Sequence, residues 1–482
     1  MAIPADGGCR QRPAAGDLGP ERTVEKYVQD TVESGVPGIA VAVLEGDEIL
    51  HTAAAGTNGR GGELTTGTPM RIESLSKSFT SLAVMQLVER GSVDLDEPVR
   101  RYLPEFELYD ARQDRVTVRQ LLNQTSGMAD EAAPDLYEAD TTTLAESVAR
   151  LRTAHLVSAP GAQSHYHNPN YAVAARLVEK VSGQPFADYL DKKVFEPVGM
   201  HSTFDTQTAD QRVPGMAAGH TMAYDRPFES DGIDYFAEGS GGVVSTADDL
   251  ARWLVTQSSR GRTSTGDQLV SPEGIAEMHR PQPNADGYGL GWYHAESAEG
   301  PPVRTSHTGS GASFGAYQGL FTKSGYGVAV LVNHGAGLTA ADPGVLGQNL
   351  LSELDPDIPP LSGSGHGLRN DLILTALVLL TLALGVRGVV RARRRAQRRV
   401  NRSRLGTAAR LLPLLLVVAA VLSVPTLQLM ATGRTAPYSL LFYVMPVAVV
   451  WLLLAGLAAS SVLALRSLHY VRARRATSDN KP

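Results

Sequence analysis

A serine and a lysine three positions apart are the first side chains in this sequence whose types and spacing could do chemistry. They are Ser74 and Lys77. On a helix, residues three apart share one face, so a desolvated lysine amine could accept the proton of the serine hydroxyl. A pattern this short also arises by chance, and a helix cap followed by a solvated lysine is the alternative. The pair alone does not define a nucleophile.

Two further polar groups lie downstream. Tyr166 and Asn168 precede a helical pattern, where a phenol beside an ammonium could shuttle protons and an amide could bind a substrate carbonyl. His307, Thr308 and Gly309 end a strand-like run, where a glycine lets a substrate backbone approach and His with Thr can hold a carboxylate. The alternatives are a core aromatic with a helix-capping Asn, and a strand end entering a glycine-rich turn.

Strand-like runs occur at both ends of the N-terminal region, and helical patterns occupy its middle. The strand-like runs are residues 38–44, 49–55, 303–307, 315–321 and 327–332. Helical spacing is found at residues 74–90, 170–182 and 248–257. This order predicts an α+β domain, in which both ends of the domain complete an antiparallel sheet flanked by helices, with a helical region inserted.

Three long apolar runs in the C-terminal third predict three transmembrane helices. They are residues 372–390, 411–430 and 438–465. Nine arginines separate the first two runs, whereas only Arg434 lies between the second and third. Because arginine-rich loops stay in the cytoplasm, this asymmetry predicts that everything before Leu372 is outside the cell. Amphipathic surface helices are the alternative, which uncharged stretches of this length disfavour.

The charge distribution separates the two regions. Residues 371–482 contain 15 Arg and one Lys against two acids, which leaves 28 basic and 48 acidic residues before them. The acidic region lacks the basic face that nucleic acids require. The single cysteine, Cys9, excludes a disulfide scaffold. Residues 1–27 contain no apolar run typical of a signal peptide, so the sequence predicts export without indicating its route.

The three polar groups occur in the order and at the separations found in one superfamily. Residues 24–355 resemble the serine β-lactamase and penicillin-binding protein superfamily, specifically its class C-like branch of β-lactamases, DD-carboxypeptidases, D-aminopeptidases and esterases. Further stretches similar to landmarks of that branch are residues 121–127, 181–183, 194–200, 239–242 and 288–292.

The resemblance implies hydrolysis through an acyl-enzyme, without a metal or cofactor. Ser74 would be the nucleophile, Lys77 its activator and Tyr166 the general base and acid. The backbone N–H groups of Ser74 and Ser310 would form the oxyanion hole. The substrate-binding residues implied by the resemblance are Asn168, His307, Thr308, Gly309 and Ser310.

The third motif departs from the β-lactamase pattern. It starts with His307, where β-lactamases of this branch usually have Lys, and some DD-carboxypeptidases and aminopeptidases share this His. Antibiotic hydrolysis is therefore less favoured. Because histidine titrates in the physiological range, we expect its attraction for a substrate carboxylate to vary with pH. A metal site formed by His165, His167 and His307 is disfavoured because no cysteine or carboxylate lies at ligand spacing.

The sequence predicts a membrane-anchored extracytoplasmic serine hydrolase, in the first place a DD-carboxypeptidase or D-peptidase acting on cell-wall peptides. A β-lactamase or an esterase would use the same machinery, and a catalytically silent sensing module is a hypothesis of another class. The expected partners are the membrane and a small peptide, β-lactam or ester substrate. The predicted segments are a leader at 1–23, the hydrolase domain at 24–355, a linker at 356–370, a transmembrane region at 371–466 and a cytoplasmic tail at 467–482.

Overall fold

The computed structural model describes most of the chain. The described residues are 19–134, 141–230, 232–233, 235–295, 304–335, 337, 341–362, 367–398 and 404–478. Most of the predicted leader, with Cys9, lies outside these residues.

Eleven strands are found among the described residues. They are β1 Gly38–Glu45, β2 Glu48–Gly56, β3 Met70–Arg71, β4 Phe204–Asp205, β5 His220–Ala223, β6 Arg226–Glu229, β7 Val243–Ser245, β8 Tyr293–Ala295, β9 Arg304–Ser310, β10 Gly315–Phe321 and β11 Tyr326–Val332. Six of them form the main sheet, in the order β2-β1-β11-β10-β9-β8.

The described part of the N-terminal domain also contains eleven α-helices. They are α1 Pro20–Glu33, α2 Ser76–Glu89, α3 Val99–Tyr102, α4 Val118–Leu122, α5 Leu144–Ala149, α6 Pro169–Ser182, α7 Phe186–Leu190, α8 Glu196–Val198, α9 Ala247–Ser258, α10 Pro272–His279 and α11 Pro343–Leu354. The first of them begins at Pro20, inside the segment predicted as leader.

The two ends of the domain complete the main sheet, as the strand order in the sequence predicted. Strand β1 pairs antiparallel with β2 on one side and with β11 on the other, where Ile39 lies opposite Val332. Alternate residues of β1 point to opposite faces of the sheet. Val41 contributes to the core beneath α1 and α11, whereas Ala42 contributes to the larger core that contains α2 and α9. The predicted α+β fold is confirmed.

Helix α2 lies at the centre of the larger core and is buried over most of its length. Phe79 stacks on Trp253 of α9, with 4.1 Å between the ring centroids. The Trp253 indole donates to Gln318 Oε1 at 3.1 Å, and Gln318 Nε2 donates to Ser78 Oγ at 3.1 Å. One fully buried amide on β10 therefore bridges α9 and α2, which fixes α2 against the sheet.

The C-terminal region contains two clear candidates for the three predicted transmembrane helices, and a third that is bent. Its helices are α12 Gly367–Val390, α13 Ala392–Gln397, α14 Arg404–Leu422, α15 Val424–Thr432, α16 Tyr438–Val444 and α17 Pro446–Ser478. Two of them, α12 and α17, are long and apolar enough to span a membrane, and α14 with α15 forms a third candidate bent by 54°. The bend between α14 and α15 lies near Pro425, and the break between α16 and α17 lies at Pro446. Proline favours such breaks because it lacks the N–H that a continuous helix requires.

Hydrogen bonds join the N-terminal domain to the C-terminal region. Part of the predicted linker packs on α11, where the Leu361 N–H donates to Asn349 Oδ1 at 2.7 Å. Further on, the Tyr224 N–H donates to Asp371 Oδ2 at 2.7 Å, and the Tyr224 hydroxyl lies 2.7 Å from Thr375 Oγ1. The N-terminal domain is thus docked on the start of α12.

The buried Gln318 amide provides a test of this packing. Gln318→Ala should lower the free energy of unfolding by about 2 kcal/mol, because the Trp253 N–H would be left buried without an acceptor. Thermal melting in detergent measures the change. Gln207→Ala, at an exposed position, is the control and should leave the melting temperature unchanged. Equal melting temperatures for both variants would contradict the structural role of Gln318.

Candidate active site

Ser74 and Lys77 lie together at the N-terminal end of α2. Ser74 belongs to a 3₁₀ turn, Glu73–Leu75, that leads directly into the helix. Lys77 Nζ donates to Ser74 Oγ at 3.1 Å and to the Ser240 carbonyl oxygen at 2.7 Å, and the Lys77 side chain is fully buried. The alternative of a solvated lysine is therefore wrong.

Tyr166 lies on the other side of the serine. Its hydroxyl is hydrogen-bonded to Ser74, and Lys77 Nζ lies 5.0 Å from the centroid of its ring. Burial raises the pKa of Tyr166, while the hydrogen bond from Ser74 and the charge of Arg434 act in the opposite direction. A serine, an ammonium and a phenol thus form one hydrogen-bonded group through which a proton can move.

Asn168 precedes α6 but does not cap it. The backbone of Asn168 is already helical, its side chain makes no capping hydrogen bond, and Pro169 starts the helix. The capping alternative is therefore wrong. The Asn168 side chain lines the same cleft as Ser74 and Tyr166, where an amide can bind a substrate carbonyl.

Strand β9 forms the opposite wall of the cleft. His307, Thr308 and Ser310 line the cleft, and Gly309 lies behind them against the segment that precedes the serine. A Cβ atom at Gly309 would be 2.2 Å from the carbonyl oxygen of Ile72. Only glycine allows β9 to approach the start of α2 this closely, and this approach brings Ser310 to the same cleft as Ser74.

The expectation that His307 titrates in the physiological range is wrong. Its side chain is only 3% exposed. The Thr308 carbonyl 3.0 Å from Nδ1 can only accept, so Nδ1 carries a hydrogen, and the Tyr288 hydroxyl lies 3.0 Å from Nε2. Burial, together with the nearby charge of Lys77, lowers the pKa of His307 to about 3. The residue is neutral at physiological pH, and its predicted role in substrate binding would be that of a neutral hydrogen-bonding group.

The sequence did not reveal several residues of the cleft. Glu73 has φ +52°, an uncommon conformation for a residue other than glycine, and it lies immediately before the predicted nucleophile. Its buried carboxyl accepts a hydrogen bond of 2.7 Å from the Tyr235 hydroxyl, and burial raises the pKa of Glu73. Ser240 could have been found, because it belongs to the Gly239–Gly242 landmark.

The three histidines of the metal alternative do not converge. His167 donates from Nε2 to the Ala133 carbonyl oxygen at 2.8 Å, whereas His307 contacts Tyr288. Within the part of the chain that the structure describes, no cluster of three His, Cys, Asp or Glu side chains could hold a metal ion.

The cleft has a volume of about 930 Å³. One side is formed by the catalytic domain, and the other includes residues of the C-terminal region. The residues from that region are Gln428, Thr432, Arg434, Thr435, Ala436 and Leu440.

An antiparallel sheet flanked by helices, with serine, lysine and tyrosine gathered in one cleft, defines a serine hydrolase of the β-lactamase and penicillin-binding protein class. The chain belongs to the Beta-lactamase family, whose model matches residues 21–345. The resemblance inferred from the sequence motifs is confirmed.

Individual proteins similar to this chain agree with that assignment. The D-alanyl-D-alanine-carboxypeptidase/endopeptidase AmpH of Escherichia coli K12 is 27% identical over 316 residues, covering 62% of this chain and 80% of that protein. Penicillin-binding protein 4 of Amycolatopsis lactamdurans is 30% identical over 326 residues, covering 64% and 84%. The solved structure of the octameric penicillin-binding protein homologue from Pyrococcus abyssi has a TM-score of 0.59 and 26% identity, covering 70% of this chain and 77% of that one.

The low pKa of His307 predicts a pH dependence of stability. The folded protein keeps His307 neutral down to about pH 3, whereas the unfolded chain takes up a proton below about 6.5. Stability is therefore fully present above pH 6.5 and declines as the pH falls from 6.5 towards 3, by up to about 1.4 kcal/mol per pH unit. His307→Gln should flatten this decline, as measured by melting between pH 7 and pH 4.5.

The control for this measurement is His201→Gln, which removes an exposed histidine and should preserve the wild-type slope. If His307→Gln also preserves it, His307 is not held neutral by the fold.

Proposed function

We propose that this protein is a membrane-anchored, extracytoplasmic DD-carboxypeptidase or D-peptidase that acts on cell-wall peptides through an acyl-enzyme. The observation that carries the proposal is the buried Ser74–Lys77–Tyr166 group, with Lys77 Nζ 3.1 Å from Ser74 Oγ. In this mechanism Ser74 attacks the carbonyl carbon of the penultimate D-residue while Tyr166, held as a phenolate beside the Lys77 ammonium, accepts the serine proton. Tyr166 then gives this proton to the leaving amine as the C–N bond breaks. In the second half of the reaction Tyr166 takes a proton from the water that attacks the ester, and returns it to Ser74 as the acyl C–O bond breaks.

Peptidase activity, among the activities considered, is supported by similarity to proteins named as a D-alanyl-D-alanine-carboxypeptidase/endopeptidase and as a penicillin-binding protein. Asn168 would bind the substrate amide, and Ser310 with the backbone of Ser74 would stabilise the oxyanion. Intact nucleophile, base and activator oppose a catalytically silent sensing module.

The membrane location is supported by α12 and α17, each apolar and long enough to span a bilayer. The contacts between the catalytic domain and the turn that follows α15 support the view that both lie on the same side of the membrane. By the distribution of arginines, that side is the outside.

An esterase is the second candidate, and the neutral His307 favours it. An ester carries no carboxylate, so it needs no positive charge from the third motif. Comparing turnover of a D-Ala-D-Ala peptide with turnover of a short-chain p-nitrophenyl ester and a chromogenic cephalosporin separates the peptidase, esterase and β-lactamase.

The first prediction of the proposal concerns covalent chemistry. The full-length protein should release D-Ala from a D-Ala-D-Ala peptide and be labelled by a fluorophosphonate. Ser74→Ala should abolish both, and Tyr166→Phe should reduce both by at least about a hundredfold, since general acid–base catalysis typically contributes that much. Unchanged melting temperatures would show that the fold is intact. Labelling that persists in Ser74→Ala would rule out this serine as the nucleophile.

The second prediction concerns topology. In a Cys9→Ser background, a membrane-impermeant maleimide should label Lys323→Cys in the catalytic domain and Thr432→Cys in intact cells, because both positions are exposed. Arg398→Cys, in the arginine-rich segment, should react only after permeabilisation. Labelling of Arg398→Cys in intact cells would reverse the orientation and remove cell-wall peptides as substrates.

A further inference from the structure

The turn between α15 and α16 extends into the cleft of the catalytic domain. It consists of residues 433–437, which come more than 250 positions after the tyrosine motif in the sequence. Arg434, Thr435 and Ala436 of this turn line the same cleft as Ser74 and Tyr166. The cleft is therefore assembled from two parts of the chain that the sequence assigns to different regions.

A fully buried carboxylate holds this turn in place. Asp130 Oδ2 accepts hydrogen bonds from the N–H and the hydroxyl of Thr435 at 2.8 and 3.0 Å, and it lies 3.3 Å from Arg434 Nε. The Asp130 side chain is 0% exposed, and its other oxygen lies 3.7 Å from His167 Nε2. Burying a carboxylate is costly without donors and a nearby positive charge, and the turn supplies both.

The guanidinium held in this way lies against the predicted general base. Arg434 Nη1 donates to the carbonyl oxygen of Tyr166 at 3.2 Å, and Arg434 Cζ lies 5.3 Å from the centroid of the Tyr166 ring. Lys77 Nζ lies 5.0 Å from the same centroid. Two cations, one from each part of the chain, thus flank one phenol. Both orient the ring and favour its deprotonated form.

We propose that Arg434 is a positioning residue for Tyr166, so that the turn between α15 and α16 is part of the active site. Arg434 fixes the Tyr166 backbone through one hydrogen bond, and its charge stabilises the phenolate form in which Tyr166 can accept the proton of Ser74. Its function is to act through Tyr166, without contact with the reacting carbonyl. This inference rests on the proposed role of Tyr166 as general base.

Several other groups surround the phenol and affect its charge. Burial and the neighbouring phenols raise the pKa of Tyr166, whereas Arg434 and the hydrogen bond from Ser74 lower it. The remaining titratable groups that face the ring or the Arg434 guanidinium are Lys77, Tyr171, Tyr288, Tyr293, His307, Asp130 and His167. Removal of the Arg434 charge leaves these groups in place and removes one of the two cations that favour the phenolate.

The experiment measures the rate of fluorophosphonate labelling against pH in the full-length protein in detergent. Arg434→Gln removes the charge but retains a hydrogen-bond donor. The pKa of Tyr166 should therefore rise, and the rising limb of the profile should shift to higher pH by about one unit. The rate at neutral pH should then fall about tenfold, since one pKa unit corresponds to a factor of ten. Arg434→Lys keeps the charge and should restore the wild-type limb. Arg262→Gln, which removes an exposed charge from another surface, is the matched control and should not shift it.

A double variant separates this inference from the proposed function. In a Tyr166→Phe background, Arg434→Gln should cause no further shift of the limb, because the group through which it acts is missing. A loss of rate that is equal at every pH, or that Arg434→Lys fails to rescue, would overturn the inference and leave a purely structural arginine. If instead Tyr166→Phe labels at the wild-type rate, the proposed base is wrong, and the inference about Arg434 falls with it.

Discussion

The Lys77 ammonium is out of contact with water, and a charge so buried is stable only where oxygen atoms surround it. Ser74 Oγ and the Ser240 carbonyl are two such atoms. The first comes from the turn that begins α2, and the second from the glycine-rich segment before β7. Both segments must therefore be held in place, and the core around α2 does this through Phe79, Trp253 and the Gln318 amide. The position of Ser74 beside Lys77 follows from that packing.

Local patterns were sufficient to predict the elements that carry the site. Helices α2 and α6 show three-and-four spacing and are followed by Gly91 and Gly183, both with positive φ, and β1 with β2 has a clear hairpin signature. The predicted residues Ser74, Tyr166, Asn168 and His307 line a single cleft. Their order along the chain was enough to indicate the family, because each motif lies within or directly beside an element that the local sequence predicts.

Properties that depend on distant parts of the chain could not be predicted in this way. The neutral state of His307 results from burial beside Tyr288 and Lys77. Tyr288 lies in the segment before β8 and Lys77 lies on α2, and both lie near β9 only in the folded domain. The contact between Arg434 and Tyr166 has no local signal, since each lies in a segment that is unremarkable by itself. The breaks in the apolar helices are a different case. Pro425 and Pro446 were visible in the sequence, and the length of the apolar runs outweighed them.

The pairing of β1 with β11 also affects how the domain is made. Ile39 lies opposite Val332, so during synthesis the apolar β1 must remain with one unpaired edge until nearly the whole domain has been translated. Contacts between such distant residues form slowly, because a long loop must close before they are gained. An exposed apolar edge promotes aggregation during this interval.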